Sequence, residues 1–405
     1  MRHRLPLIFI IVTVMIDAMG IGLILPVMPD LLRELTGEGI AEAAEWGGLL
    51  VFCYSAMQVL FQPLIGNLSD RYGRRPVLLA SLVAIGIDYV IMAVAGSLWL
   101  LFLARLVSGI AGATYSTAYA LIADVSAKDK RAANFGLIGA AFGIGFILGP
   151  MTGGLLGELG TRAPFLAAGL LALLNAAFGL AVLTETLAAQ NRRRFDWRRA
   201  NPLLAVARIA ALPQIGPLVL VFFIYVVAHM VYPVIWSYFA VAQYGWSPGM
   251  TGLSLGVVGV FMALTQGWLI RPALARLGEV RTALSGLVLN VAMMALLPFL
   301  WNGWVALAFA PVMAAGVIVT PALQGLMANR TGDDAQGELQ GVVASAQGLA
   351  SLVAPLVMSQ TFRAFTAEGT ALYLPGAPFL VAAALCTAAL LLLLRERPAV
   401  AARRH

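Results

Sequence analysis

The sequence predicts an all-α membrane protein, with twelve transmembrane helices in two pseudo-symmetric six-helix bundles. Three observations carry that prediction. Of 405 residues, 61% are hydrophobic and 11% charged, against about 25% charged in soluble chains. The apolar residues gather in twelve runs near the ~20 residues needed to cross the hydrocarbon. Landmarks of the first six runs also recur in the last six. The mean hydropathy of +0.89 excludes an ordinary soluble enzyme, and the 41 glycines and 20 prolines sit inside the apolar runs, where membrane helices tolerate them.

In chain order the spans cover about 5–29, 46–67, 76–96, 98–123, 133–157, 163–184, 214–239, 248–270, 281–300, 303–327, 338–362 and 375–394. Only Gly96-Ser97 and Asn302-Gly303 divide spans three from four and nine from ten. Both read as helical hairpins with very short turns, which keeps backbone groups satisfied in lipid. With both termini cytoplasmic, 22 of the 26 Lys and Arg fall on cytoplasmic segments and three, Arg33, Arg162 and Arg363, on outside loops. Arg105 lies within span four, and five acids (Asp30, Glu34, Glu38, Glu42, Glu45) lie between spans one and two. The positive-inside rule therefore sets the orientation and accounts for the net charge of +7 without a nucleic-acid partner. Cys53 and Cys386 lie far apart in separate runs, so neither a disulfide framework nor a cysteine metal site is expected. The first run holds Asp17 and no small-residue cleavage site follows it, so it reads as a span rather than a signal peptide.

The connector 185–213, with Arg192, Arg193, Arg194, Arg198 and Arg199, reads as a cytoplasmic linker between an N-terminal bundle, 1–184, and a C-terminal bundle, 214–405. Pro29 and Pro233 are expected late in the first helix of each half, Pro150 and Pro355 in the fifth, and Gly66 and Gly267 at corresponding loops, at offsets of 201 to 205. A parallel repeat of this kind is a transporter architecture, with substrate near the midplane and the halves rocking about it. Two fused halves already enclose a pathway, so a monomer suffices.

The most specific string is GNLSDRYGRRPV, Gly66 to Val77, between spans two and three. Gly66 and Gly73 permit close approach and a tight turn, while Asp70 can pair with Arg71, Arg74, Arg75 or a helix N-terminus. The loop resembles the signature of the major facilitator superfamily, in which it acts as a latch between inward-open and outward-open states. Its echo, Gly267 to Arg281, lacks the Asp and implies a weaker latch. In span five, Gly145, Gly149, Pro150, Gly153 and Gly154 resemble the antiporter motif of drug/proton exchangers, which implies export; glycines at four-residue spacing also flatten a helix face for packing. IDAMGIGLILPVMP in span one, IDYVIMA in span three, LARLVSGIAGAT in span four and GELQGVVASAQGLASLVAPL in span eleven resemble the tetracycline exporters, over nearly the whole chain.

Inside the spans stand two acids, Asp17 and Asp88, and one permanent cation, Arg105. A carboxylate at the bilayer centre costs about 2.5–3.5 kcal/mol and is a functional hypothesis by default. The resemblance ties Asp17 and Asp88 to proton and substrate handling, with Arg105 holding one of them ionised. Candidate substrate contacts are Gln58, Gln62, His229, Trp236, Gln266 and Asn290, with Asn175, Tyr225, Tyr232 and Trp268 as further polar or aromatic groups. The chain departs from the exporters where they carry an acid in span nine, a His in span eight and a Gln in span seven; here stand Asn290, Met262 and Met230. The expectation is a proton-coupled exporter of a small amphipathic drug in a bacterial inner membrane. It needs no cofactor, and magnesium enters only as a chelate of a tetracycline-like substrate. A multidrug or metabolite exporter of the same fold is the alternative. A sensor or membrane enzyme is disfavoured by the absence of paired catalytic acids, HExxH or a Ser/His/Asp set, and the absence of a GxxxxGK(S/T) phosphate loop makes the proton gradient the motor.

Overall fold

The computed structural model describes residues 5–113, 115–126, 130–187, 190, 192, 215–331 and 335–396. Ten helical stretches among them are long and apolar enough to cross a membrane, and the expected spans map onto helices throughout. Span one is Leu5–Ile24, span two Ile40–Tyr72, span three Arg74–Val94, span five Arg131–Gly157 and span six Ala163–Val182. Span four runs as Leu98–Ala111 and then Tyr115–Val125. Span seven joins Gly216–His229 to Val231–Tyr244, span eleven is Gln336–Thr366 and span twelve Ala377–Arg395. Spans eight and nine form one 52-residue run, Pro248–Phe299, divided at Gly278, whose φ of 72° and ψ of 171° break the helix. Span ten is in pieces: Gly303–Ala308, Ala310–Ala315, a 3₁₀ turn at Gly316–Ile318 and Val319–Ala328.

Three boundaries correct the sequence reading. Span one ends at Ile24, and Pro29 opens a separate helix, Met28–Thr36, instead of lying late in the span. Proline suits a first turn, where its missing N–H costs nothing. This short helix buries Pro29, Leu31 and Leu32 and ends at Gly37 in the left-handed conformation. Gly66 does not open a loop, because span two stays helical through Tyr72 and the chain turns on Gly73 alone, at φ 108°. Gly267 likewise lies within a helix, in a π turn at Thr265–Leu269. Most of the predicted linker 185–213 lies outside the described residues.

The chain forms two compact units. The described residues of Met1–Glu38, Leu50–Pro202 and Trp246–Gly256 make one, and those of Gly39–Leu49, Leu203–Gly245 and Val257–His405 the other. In the first, span one lies along span five. Cβ atoms added at Gly145, Gly149 and Gly153 would strike the carbonyl oxygens of Met15, Met19 and Leu23, and one at Gly22 would strike Pro150. The glycine ladder therefore brings two backbones into contact along the helix that carries Asp17. Gly154 points elsewhere, to Gly249 and Gly252 at the start of span eight. The motif thus flattens two faces of span five rather than one. Just beyond it, the Glu158 carboxylate accepts the Gly249 N–H at 2.8 Å, an anion on a helix N-terminus.

In the second unit, spans seven, nine and twelve enclose a core that includes Phe222, Phe239, Leu287, Phe379 and Cys386, all fully buried. The first turns of span two join this unit. Gly47 gives room to the Tyr238 hydroxyl and Gly48 to Ser359, while Glu45 pairs with Arg363 at 2.9 Å and accepts from Gln360 at 2.9 Å. Glu158 and Arg363 stand 205 residues apart, the offset of Pro150 and Pro355. Each unit therefore makes the repeat-related contact with a side chain of opposite charge.

Candidate transport site

The first-half site is built around Arg105. Its Nη2 donates to Asp88 Oδ2 at 2.9 Å and also meets the Met92 sulfur. Asp88 is 1% exposed and Arg105 9%, so the pair is a membrane-depth ion pair joining spans three and four. It is single-pronged: Asp88 Oδ1 and Arg105 Nε are both buried with no hydrogen-bond partner among the described residues. The ring of Tyr54, on span two, faces the guanidinium 5.6 Å away.

Asp17 is partly buried on span one, and no hydrogen bond or ion pair involves it among the described residues. Its helix face is fixed from both sides, since residues three and four apart share a face. Thr13 exchanges hydrogen bonds with Asn175 of span six at 3.1 and 3.3 Å, and Gly20 leaves room for the Tyr89 hydroxyl of span three. Asn175 is therefore spent on holding spans one and six together. Gln58 donates to the Tyr54 hydroxyl at 3.4 Å and to the Gly112 carbonyl at 3.2 Å, and Gln62 is partly buried on the same helix.

At the turn after span two, Arg74 is 8% exposed and gathers three partners: Asp70 at 2.5 Å, Asp124 at 3.3 Å and Ser69 at 2.7 Å. Glu185 accepts the backbone N–H groups of Arg74 and Arg75 at 2.9 and 3.3 Å, filling the space that Gly73 leaves open. Arg75 donates to the Leu180 carbonyl at 3.0 Å, and Arg71 lies 5.0 Å from the Tyr72 ring. The second half repeats this turn with changed chemistry. Gly278 takes the left-handed place of Gly73, and Glu279 accepts from Asn329 at 2.7 Å where Arg74 pairs with Asp124; all three offsets are 205.

In the second half, His229 lies between Tyr225 and Tyr232, with ring centroids 5.6 and 5.4 Å away. Tyr232 and Trp236 both meet Phe379 of span twelve, and Trp236 is 5% exposed within this aromatic stack. His229 and Met230 mark the join between the two helices of span seven. Gln266 is exposed on the π turn and Trp268 is 80% exposed, which places neither within the core. Asn290 is 3% exposed, and its amide donates to the Gly286 and Gly316 carbonyls at 2.8 and 2.9 Å. Both of its N–H groups are thus committed to backbone, where span ten breaks into its 3₁₀ turn. No group of three or more His, Cys, Asp or Glu that could hold a metal occurs among the described residues.

The profile of the Major Facilitator Superfamily matches residues 10–355. The chain is 39% identical over 388 residues to the class C tetracycline resistance protein of Escherichia coli, covering 94% of this chain and 97% of that protein. It belongs to the major facilitator superfamily, among the tetracycline resistance proteins. The class G protein of Vibrio anguillarum is 40% identical over 354 residues, covering 86% of this chain and 88% of that one. Of solved superfamily structures, the human organic anion transporter MFSD10 (TETRAN) superposes with a TM-score of 0.69 at 25% identity, over 96% of this chain and 99% of that one. The nucleoside transporter NupG shares the fold, with a TM-score of 0.77 at 14% identity over 96% of this chain and 98% of that one. This superfamily member is a transporter and not an enzyme.

Sequence reasoning missed Tyr54, Tyr89, Glu185, Asp124, Glu279 and Asn329. Glu185 was visible only as the first acid after span six, and Asp124 as an acid closing span four. Nothing local ties either to Arg74. The Glu279–Asn329 contact could have been found by adding the repeat offset to Arg74 and Asp124.

Proposed function

We propose that the chain is a proton-coupled antiporter that expels a tetracycline-like amphipathic drug from the cytoplasm by alternating access. The observation that carries the reading is the unequal treatment of the two membrane acids: Asp88 is paired with Arg105 at 2.9 Å, and Asp17 has no counter-charge among the described residues. An ion pair at membrane depth is costly to separate, so Arg105 and Asp88 act as a fixed, neutral unit. Asp17 then carries the exchangeable proton: it is loaded from outside, drug leaves, and after the halves 1–184 and 214–405 rock about the linker 185–213 the proton leaves inward. Identity of 35–40% to tetracycline resistance proteins of classes B, C, D, E and G supports the substrate class.

The same reading places the protein as a monomer in a bacterial inner membrane with both termini cytoplasmic. The Asp70–Arg74–Asp124 cluster then lies on the cytoplasmic side as the latch. The Glu158–Gly249 and Arg363–Glu45 contacts lie on the outside. The proton gradient is the only energy source, and magnesium takes part as a component of the drug chelate.

The test is tetracycline-dependent proton release from energised everted vesicles, with and without magnesium, in wild type and Asp17→Asn. A magnesium-dependent signal lost in the variant is expected. An intact signal in Asp17→Asn would sink the assignment of Asp17. A wild type silent at every pH would favour a second reading, a multidrug exporter without tetracycline activity. Asn290 is the observation behind that second reading. An ionised carboxylate could not donate to the Gly286 and Gly316 carbonyls as this amide does, so an acid at this position would not replace it in kind.

A further inference from the structure

We propose that Tyr54 is a positioning residue for Arg105, holding the guanidinium on Asp88. The proposal deepens the proton-exchange reading above. The geometry of span four explains why a tyrosine of span two can do this. Arg105, Gly109 and Gly112 lie four and three residues apart and so share one helix face. A Cβ at Gly109 would lie 2.7 Å from Met57 Cβ and meet the Tyr54 carbonyl, and one at Gly112 would lie 2.7 Å from the Tyr54 hydroxyl. The two glycines therefore let span two lie directly on span four, with the Tyr54 ring stretched along that face. The ring then meets the guanidinium at 5.6 Å, within the range of a cation–π contact.

Tyr54 is itself tethered. Gln58, one turn on, donates both to its hydroxyl at 3.4 Å and to the Gly112 carbonyl at 3.2 Å. By contrast, the ion pair fixes Arg105 at one point only and engages few of its donors. It makes one hydrogen bond to Asp88 and a contact with Met92, while its Nε has no partner among the described residues. An arginine with five donors and so few of them engaged needs a further constraint to keep one orientation, and the ring supplies it. The ionisable groups of this neighbourhood are Asp17 on span one, Tyr54 on span two, Asp88 and Tyr89 on span three and Arg105 on span four.

Two measurements test this in the full-length protein in nanodiscs. The first is independent of transport: 3-fluorotyrosine is placed at position 54 and its ¹⁹F resonance is followed in wild type, Arg105→Gln and Asp88→Asn. The resonance should move in both variants, because each removes or releases the cation over the ring. A signal unmoved in Arg105→Gln overturns the proposal whatever the substrate proves to be. The second is the pH profile of tetracycline-driven proton release. Tyr54→Leu should move its midpoint by about 0.4 to 1.5 pH units, the span that a 0.5–2 kcal/mol cation–π contact corresponds to at 1.36 kcal/mol per unit. Tyr54→Phe, which restores the ring, should bring the midpoint back, and in an Arg105→Gln background Tyr54→Leu should have no further effect. A Tyr54→Leu profile coincident with wild type, or an unchanged Leu effect without Arg105, overturns the proposal. Failure of tetracycline exchange in wild type would count against the substrate reading alone, and the resonance would still decide the role of Tyr54.

Discussion

Asn290 and Gly316 provide a sharp test of how the second half is held together. A Cβ built on Gly316 would lie 2.5 Å from Asn290 Nδ2 and 2.9 Å from its Cγ and Oδ1, and the amide is fixed by two hydrogen bonds, so it cannot simply swing aside. Gly316→Ala should therefore cost about 1–3 kcal/mol as an overpacked substitution. Asn290→Ala should cost about 2 kcal/mol, from two bonds worth about 1 kcal/mol each; Gly316 O keeps a contact with the Val319 N–H, so it is not orphaned outright. In the double variant the clash is gone, and alanine is favoured over glycine in a helix by about 0.5–1 kcal/mol. The pair should thus be only about 1–1.5 kcal/mol less stable than wild type, with a coupling of about 1.5–4 kcal/mol between the sites. Equilibrium unfolding of the four proteins in mixed micelles, read by tryptophan fluorescence, closes the cycle. Additivity within about 0.5 kcal/mol would refute the clasp between spans nine and ten.

Two further outcomes follow from groups at the ends of spans. The Glu158 carboxyl is held below its ordinary range by the Ser247 hydroxyl and then the Gly249 N–H, against a small opposing effect of burial. Its contribution is present above the unfolded value near 4.3 and disappears as pH falls through the lowered folded value; because the group is exposed, Glu158→Gln should change stability only slightly at pH 7, and the difference should shrink in thermal melts as the pH is lowered through that folded value. At the other end, Glu185→Ala removes the acceptor for two backbone N–H groups that start span three. It should cost about 0.5–2 kcal/mol, as loss of a helix cap does, and speed hydrogen exchange at Arg74 and Arg75. Unchanged exchange there would show that water replaces the carboxylate at no cost.

The spans were legible from sequence because the bilayer imposes a length and a composition on anything that crosses it. Asp17, Asp88 and Arg105 were legible as well, since a charge inside an apolar run stands out against its surroundings. The glycine ladder of span five could be read as a packing face, but not that Gly145, Gly149 and Gly153 rest on span one while Gly154 turns to span eight. What no run of residues announces is which partner each polar group has chosen. Arg105 could have paired with either acid, and only the juxtaposition of spans three and four gives it to Asp88. Gln58 and Asn290 read as candidate substrate contacts in sequence and bond backbone carbonyls in the fold. Glu185 meets Gly73 from 112 residues away. The sequence alone determined the membrane class, the repeat and the inventory of charged groups, because hydrophobicity and charge are properties of single residues. The tertiary structure decided the pairings, because a hydrogen bond needs two groups within about 3 Å, and that distance is set by how helices remote in sequence pack.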